Sequence, residues 1–391
     1  MRKRITAVLV LALLLSGCTG RGSENSYVNA DRIKGENSLT LAAGYEPSAQ
    51  YVHDMAGAFV ETDKTVIKAT GNSVVEYINK QTGLTTALCK DPLCRHTETD
   101  GCAALLTGHE RYCYDTMSGK LFIARASSFF ESMTTKHTVF YEIDIDNMDT
   151  SLREIYRMPK GSMAEGVSVD GGILYFSQWY LTEDNEDRMG LWRLDPKTKQ
   201  AEKVMEFPLT GVTFTVADGV VYYRDTSIAA LYAYDLTTGE TRVVHESKER
   251  AKYYVLGESV YCQTAREIVK ITSAGTQTLY TSEHEPIENQ TFCMDVAADG
   301  TVYFCGYSPV EIETENGTVI NSASKLFAWQ DGAVRQIASL EDSHSIRTID
   351  IIGGTVFVDA RVVSGSAVAS NLRYFALVPE GDTVRIEEIE R

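Results

Sequence analysis

A short stretch of the chain concentrates residues that can bind a metal ion or form disulfides. Cys89, Cys94, His96 and Cys102 lie within "CKDPLCRHTETDGC". Three thiolates and one imidazole can fill the tetrahedral shell of Zn²⁺, and thiolates also hold iron. The single residue between Cys94 and His96 departs from the usual spacing of structural zinc ligands, so the backbone must kink there. The stretch predicts a zinc or iron site, with disulfides or free thiols as the alternatives.

The disulfide alternative has several possible pairings. Cys89 could pair with Cys94 or Cys102, and Cys113 is a fourth thiol that would allow a second disulfide. A protein that is exported from the cytoplasm can form and keep such disulfides. Seven cysteines follow Cys18, and this odd number requires at least one thiol that is unpaired, metal-bound or intermolecular. The others are expected to be buried, inert thiols on strands: Cys262, Cys293 and Cys305.

The N-terminal residues resemble a bacterial lipoprotein signal. A basic start is followed by the apolar run Ile5–Leu15, which is too short to cross a hydrocarbon core of ~30 Å as a helix. Leu15-Ser16-Gly17-Cys18 resembles the lipobox, whose cysteine is diacylated, and an ordinary secretory signal is the alternative. We therefore expect a signal over residues 1–17, lipidated Cys18 with a flexible tether over 18–50, and a folded domain over 51–391.

The charge of the chain restricts its partners. A formal net charge of −17 would repel the phosphates of nucleic acid and the headgroups of anionic lipid. We expect no nucleic-acid partner and attachment to the cell membrane through the lipid anchor alone, on the extracytoplasmic face. The ligand would be an unknown protein, peptide or glycan.

A repeated phrase predicts the fold. A turn followed by alternating apolar residues recurs, as in "DGGILYF" from Asp170, "DGVVYYR" from Asp218 and "DGTVYFC" from Asp299. A strand–turn–strand phrase follows each, most clearly "LYAYDLTTGETRVV" from Leu231. Seven repeats at a mean spacing of about 48 residues match the length of propeller blades. We predict an all-β protein with a β-propeller of seven blades, six or eight being alternatives, and a β-sandwich explains the repetition less well.

Extra residues in four of the repeats are expected to project as loops on one face of the propeller, because a blade core cannot absorb insertions. Phe129, Phe130, Trp179 and Tyr180 lie in two of these insertions. Exposed aromatic side chains are effective anchors, so the four residues are candidates for a binding surface. Packing of the loops onto the blades is the alternative.

These features together resemble a group of lipoproteins from Gram-positive anaerobes. The resemblance rests on the lipobox, the short acidic tether, the early C-x4-C-x-H-x5-C-x-A motif of Cys89–Ala104 and the propeller-type repeats. That group is described as propeller-like, similar to TolB-type and low-density-lipoprotein-receptor-type propellers, and has no known function. The resemblance implies a surface-anchored propeller without adding an activity. It also favours a metal at the cysteine motif, since such organisms use few disulfides.

Catalytic motifs give no positive signal. The chain has no G-x-S-x-G nucleophile elbow, no H-E-x-x-H, no P-loop and no sialidase-type turn. We therefore expect a binding or scaffold protein rather than an enzyme. One alternative is a metal-dependent sensor or redox protein that uses the Cys89–Cys102 loop. Another is a propeller hydrolase or lyase with its site in the central channel, since such sites draw residues from several blades.

Overall fold

The computed structural model describes residues 49–52, 59–68, 74–82, 85–91, 93–96, 102–105, 110–127, 135–145, 147, 149–182, 184, 186–208, 211–225, 230–287, 290–314, 317–363, 372–380 and 383–389. The lipobox at Cys18 and the aromatic pair Phe129 and Phe130 lie outside these residues. The described ranges contain strands and turns and no helix. They accordingly hold no helix with the length and apolar character needed to span a membrane.

Seven antiparallel sheets follow one another along the chain, each built from four main strands. Blade 1 contains β2 (Phe59–Glu61), β3 (Thr65–Lys68), β4 (Glu76–Asn79) and β5 (Thr85–Ala87). Blade 2 contains β6 (Arg111–Asp115), β7 (Lys120–Ala126), β8 (Thr138–Asp144) and β9 (Asp149–Arg157). Blade 3 contains β10 (Ala164–Asp170), β11 (Ile173–Leu181), β12 (Asp187–Asp195) and β13 (Gln200–Phe207).

The later blades repeat this order. Blade 4 contains β14 (Val212–Ala217), β15 (Val220–Asp225), β16 (Ala230–Asp235) and β17 (Thr241–Glu246). Blade 5 contains β18 (Ala251–Leu256), β19 (Ser259–Thr264), β20 (Glu267–Thr272) and β21 (Gly275–Thr281). Blade 6 contains β22 (Cys293–Val296), β23 (Val302–Cys305), β26 (Lys325–Gln330) and β27 (Ala333–Ser339). Blade 7 contains β28 (His344–Ile352), β29 (Thr355–Val362), β30 (Leu372–Glu380) and β31 (Thr383–Glu388).

The turn residues of the repeated phrase connect the two strands of the first hairpin in a blade. In blade 4, Asp218 and Gly219 have φ angles of 52° and 75° and connect β14 to β15. Two successive positive φ angles match the twist of the flanking strands, and Asp-Gly adopts them readily. The alternating residues after the turn then pair in register, with Thr215 opposite Tyr222. The phrase therefore marks the two inner strands of a blade, and the second phrase marks the two outer strands.

The apolar core is divided among the seams between blades. The described residues form seven buried hydrophobic clusters, and each cluster joins two neighbouring blades. One of them packs Val66 and Ile78 of blade 1 against Phe357, Tyr374 and Ala376 of blade 7. This seam closes the ring. The prediction of an all-β propeller with seven blades is thereby confirmed over six or eight.

A further strand lies at the centre of the ring. β1 (Gln50–Tyr51) pairs with β18, the innermost strand of blade 5. The Ala49 amide donates to the Val296 carbonyl of blade 6 at 2.9 Å, and the Thr213 hydroxyl of blade 4 donates to the Val52 carbonyl at 3.2 Å. This short segment therefore contacts the inner strands of three blades. It begins within the predicted tether, whose last residues join the folded domain.

Two insertions form strands rather than the predicted loops. The insertion in repeat six contains a separate hairpin of β24 (Val310–Thr314) and β25 (Gly317–Asn321). The insertion in repeat three lengthens β11 and β12, so that Trp179 pairs with Met189 and Tyr180 with Arg188. The loop assignment of Trp179 and Tyr180 is wrong, because aromatic residues in an alternating run suit a strand and the backbone ladder continues through them.

Candidate functional site

The structure brings the four residues of the cysteine motif together. The loop that leaves β5 and enters blade 2 carries Cys89, Cys94, His96 and Cys102. Their thiol sulfurs and an imidazole nitrogen all lie within 4.8 Å of one another. The Nδ1 atom of His96 is 3.3 Å from the Sγ atom of Cys102. This cluster could hold one metal ion.

The first half of the loop folds back through a tight turn. The Cys94 amide donates to the Asp91 carbonyl at 3.2 Å, and the Leu93 amide donates to the Asp91 carboxylate at 2.9 Å. His96 then adopts a left-handed conformation with φ of 54°. Such a φ angle is unusual for a residue other than glycine. It supplies the kink that the single residue between Cys94 and His96 requires, and the His96 amide faces the Cys94 sulfur at 3.4 Å.

Blade 1 holds the second half of the loop. The Val75 amide donates to the Ala104 carbonyl at 2.6 Å, and Val74 forms an isolated bridge with Leu105. The Ala104 amide in turn donates to the Cys102 sulfur at 3.3 Å. Backbone N–H groups directed at a sulfur favour its thiolate form. The loop therefore presents Cys102 towards the other three side chains from a fixed position.

Blade 2 contributes an arginine that sequence reasoning missed. The Arg125 guanidinium donates to the carbonyls of Cys102, Ala103 and Leu105 at 2.9, 3.2 and 2.9 Å. Its Nε atom lies 3.5 Å from a carboxylate oxygen of Glu110, and both side chains are buried. The signal available in the sequence was the charged Arg125 between two alanines in the apolar run "LFIARA". Burial of a charge requires dedicated partners, which here are Glu110 and the backbone carbonyls of the Cys89–Leu105 segment.

The cluster combines two buried and two partly exposed donors. His96 is 3% exposed and Cys102 is buried, whereas Cys89 and Cys94 are partly exposed. A hydrogen bond from Cys102 lowers the pKa of Cys89 to about 6, and the same contact together with burial raises the pKa of Cys102. Burial raises the pKa of Cys94. These opposite directions make Cys89 the most acidic of the three thiols in the cluster.

A tetrahedral shell fits these distances. With Zn–S bonds of about 2.3 Å, neighbouring sulfurs of such a shell are roughly 3.8 Å apart. Donor atoms already within 4.8 Å of one another reach that spacing through small side-chain movements. The Nε2 atom of His96 is buried and has no hydrogen-bond partner among the described residues. Nδ1, which faces Cys102, is the nitrogen available to the cluster.

Blade 7 contains a second group of ionisable residues, also missed from the sequence. The Thr348 amide donates to Asp359 at 3.0 Å, and its hydroxyl donates to Asp350 at 3.3 Å. Burial, with a smaller effect of the Asp359 carboxylate, raises the pKa of Asp350 to about 7. Burial also raises the pKa of Asp359. A carboxyl group with a pKa near neutrality can donate or accept a proton in catalysis.

The predicted aromatic surface is only partly described. Trp179 is 44% exposed on β11. Tyr180 is held against the surface of blade 3, because its hydroxyl donates to Glu206 and accepts a hydrogen bond from Lys203. The role of these two residues in binding stays a prediction.

Comparison with known proteins supports the fold. No protein-family model matches the chain, and no curated protein matches it. Among solved structures, a puromycin hydrolase matches with a TM-score of 0.55, 11% identity, and coverage of 90% of this chain and 57% of that one. A puromycin-hydrolyzing peptidase of Mycobacterium tuberculosis matches with a TM-score of 0.52, 13% identity, and coverage of 90% and 56%. An oligogalacturonate lyase from Vibrio parahaemolyticus matches with a TM-score of 0.49, 11% identity, and coverage of 88% and 93%.

These matches correct the prediction that the chain is not an enzyme. Proteins named as a hydrolase and a peptidase share its fold over 90% of its length, although the chain spans little more than half of theirs. The prediction relied on the lack of a short catalytic motif. That reasoning fails because several blades contribute to a propeller site, and no local motif need mark it. At such low identity the likeness extends to the fold alone.

Proposed function

We propose that the chain is a metal-dependent β-propeller in which Cys89, Cys94, His96 and Cys102 hold one Zn²⁺ ion. The observation that carries this proposal is the convergence of the four donor atoms within 4.8 Å. Thiolate and imidazole ligands select zinc or iron over Mg²⁺ and Ca²⁺, which prefer oxygen. Four protein ligands also fill a zinc shell completely, as in structural sites.

The ion would fix the seam between blades 1 and 2. The loop already reaches blade 2 through the Lys90 amide, which donates to the Thr150 hydroxyl at 3.1 Å, and through the Lys90–Asp149 ion pair at 2.9 Å. Arg125 and Glu110 add the buried contacts described above. Binding of zinc would order the loop, and its loss would loosen the seam. We propose that this coupling makes the protein a zinc-responsive one rather than a passive scaffold.

The test is the metal content of the full chain, purified anaerobically without chelator. One equivalent of zinc is expected, and Cys94→Ser and His96→Ala should each lose it. Cys262→Ser is the matched control, since that thiol is buried in the seam between blades 4 and 5 and should leave the zinc in place. Absence of metal, with disulfides mapped to Cys89, Cys94 or Cys102, would contradict the proposal. One equivalent of iron would correct the identity of the ion.

We also propose that the protein is anchored to the extracytoplasmic face of the cell membrane through lipid on Cys18. The support is the lipobox-like order of Leu15, Ser16, Gly17 and Cys18 after a basic and apolar start. Cys18→Ser should move the protein from the membrane fraction to the soluble fraction. An unchanged distribution would contradict the lipid anchor.

A propeller enzyme is the second candidate, favoured by one observation. Asp350 lies on β28, the innermost strand of blade 7, and its pKa of about 7 suits a general acid or base. Such a group would serve hydrolysis or β-elimination near neutral pH. Chromogenic glycosides, esters and aminoacyl amides, with uronate polymers, form the substrate panel. An activity that survives Asp350→Asn unchanged would exclude this carboxyl group as the catalyst.

A further inference from the structure

A pair of cysteines meets in blade 6, away from the Cys89–Cys102 loop. Cys293 begins β22, Cys305 ends β23, and the two are direct cross-strand partners. Their Sγ atoms lie 3.3 Å apart. Both side chains are buried, with exposures of 2% and 0%, in the seam between blades 6 and 7. The strand register therefore places two thiols in contact inside the protein.

The backbone around this pair is held in place. The Gln263 amide of blade 5 donates to the carbonyls of Cys293 and Cys305 at 3.3 and 3.2 Å. Gly306 follows Cys305 with φ of 109°, and a Cβ atom there would lie 2.5 Å from the Cβ of Phe292. Two chain segments thus approach as closely as glycine permits, directly beside the thiols. The strands are therefore fixed, and only small side-chain rotations are needed to bring the two sulfurs to bonding distance.

A lysine of the neighbouring blade, Lys252, lies near the two thiols. Burial raises the pKa of Cys293, and the nearby Lys252 ammonium opposes that effect. Lys252 lies on β18 and packs near the Phe292 ring, at 5.6 Å from its centroid. A neighbouring ammonium supports the thiolate that disulfide exchange requires.

We propose that Cys293 and Cys305 form an intramolecular disulfide when the chain folds in the presence of a small-molecule disulfide. One thiolate attacks a sulfur of the oxidant, forms a mixed disulfide and releases one thiol. The second protein thiolate then attacks the mixed disulfide, closes the Cys293–Cys305 bond and releases the second thiol. Two protein thiols are oxidised and one small disulfide is reduced to two thiols. Because both sulfurs are buried in the finished fold, the exchange precedes closure of the seam.

This assignment also accounts for the odd number of cysteines. Of the seven that follow Cys18, three belong to the metal-site cluster and two to this pair. Cys113 and Cys262 remain, and burial raises the pKa of each thiol, to about 12 in Cys262. Cys262 faces blade 4 rather than blade 6, so it does not compete for the pair. The expectation that Cys293 and Cys305 are inert thiols is replaced by this proposal, which is independent of the metal.

Differential alkylation tests the proposal. The full chain is unfolded, reduced, and refolded with zinc in a buffer of oxidised and reduced glutathione. It is then unfolded again in iodoacetamide, reduced, and labelled with N-ethylmaleimide. Cys293 and Cys305 should carry mostly the second label, and unreduced digests should contain their linked peptide with the loss of two hydrogens. Synthesis by cell-free translation in the same buffer gives a second route that does not depend on refolding yield.

Two variants complete the test. In Cys293→Ser, Cys305 should react with iodoacetamide, the first label, and the linked peptide should be absent. Cys262→Ser should change neither the label on Cys305 nor the linked peptide. Recovery of Cys293 and Cys305 with the first label by both routes would overturn the proposal. So would a bond from either residue to Cys262 or to glutathione. Because labels are assigned residue by residue, this result is read separately from the state of Cys89, Cys94 and Cys102.

Discussion

At the scale of single residues, the candidate metal site depends on two unusual residues, one for its backbone conformation and one for its side chain. His96 turns the backbone into the left-handed region and thereby joins the Cys94 half of the loop to the cluster. Arg125, from the neighbouring blade, donates to three carbonyl groups at and after Cys102. Groups that hold ligands in place commonly change metal affinity by 10- to 100-fold when removed. The site therefore includes residues that position the loop as well as the four donor side chains.

Arg125→Lys should weaken zinc binding without removing a ligand. A lysine ammonium cannot form the planar fork that reaches several carbonyls at once, so the Cys102 half of the loop would lose its fixed position. The expected change is roughly a 10-fold or greater rise in the zinc dissociation constant. Competition with a chromophoric chelator measures it. The control is the exposed Arg361→Lys, and equal affinities in both variants would refute the positioning role of Arg125.

At the scale of elements, each blade is defined by its turns and by the seam that it shares with its neighbour. Gly306 marks the end of the first hairpin of blade 6, since it follows β23 where the chain passes Phe292, the residue before β22. Asp350 lies on β28, the innermost strand of blade 7, and its carboxyl group has lost much of its hydration there. Both positions have measurable consequences for stability.

Gly306→Ala should destabilise the fold more than Gly317→Ala. The two glycines have similar φ angles, 109° and 113°, so the backbone strain of alanine is comparable at both. Only at Gly306 does the added Cβ meet other atoms, whereas Gly317 faces open space. The clash should cost roughly 1–3 kcal/mol beyond the strain. Thermal unfolding of both variants measures it, and equal midpoints would contradict the close packing at Phe292.

Asp350→Asn should change how stability depends on pH. The pKa of Asp350 rises from 3.8 to about 7 on folding, so between these values the folded state binds more protons than the unfolded state. The stability that this group contributes is complete below about pH 4 and is lost as pH rises to about 7. The asparagine variant should therefore gain stability relative to the wild type across this window and keep the gain at pH 8. Unfolding midpoints from pH 4.5 to pH 8 test this, and a constant difference would refute it.

At the scale of the molecule, a closed ring explains how the described residues bury their apolar side chains with strands alone. Each seam between neighbouring blades holds a buried apolar cluster, and the seam between blades 7 and 1 has one of its own. Among the described strands, blade 1 and blade 7 are each built from consecutive strands, and neither blade borrows a strand from the opposite end of the chain. Side-chain packing at this seam therefore closes the ring.

Phe357→Ala should cost as much stability as Phe176→Ala. Phe357 is 0% exposed in the seam between blades 7 and 1, and Phe176 is 1% exposed in the seam between blades 2 and 3. Large-to-small substitution of a buried phenylalanine costs about 3–5 kcal/mol. Comparable losses of thermal stability would confirm that the ring is closed. A much milder effect of Phe357→Ala would indicate an open seam.

The sequence predicted the local features well and the distant ones poorly. Turns such as Asp218-Gly219 and the alternation after them depend on neighbouring residues, so the blades were visible. The clustering of Cys89 with Cys102 was visible from spacing alone. The support from Arg125 was not, because it depends on how blade 2 packs against the loop. Cys293 and Cys305 flank a hairpin turn symmetrically, so counting the register from that turn would have paired them.

We have proposed that three thiolates and one imidazole hold zinc in the Cys89–Cys102 loop. X-ray absorption at the zinc edge of the purified full chain tests it most directly. The predicted result is a shell of three sulfurs at about 2.3 Å and one nitrogen at about 2.0–2.1 Å. His96→Ala should lose the nitrogen scattering or the ion itself. A shell made mainly of oxygen, or zinc that survives replacement of both Cys94 and Cys102 by serine, would refute the proposed zinc site.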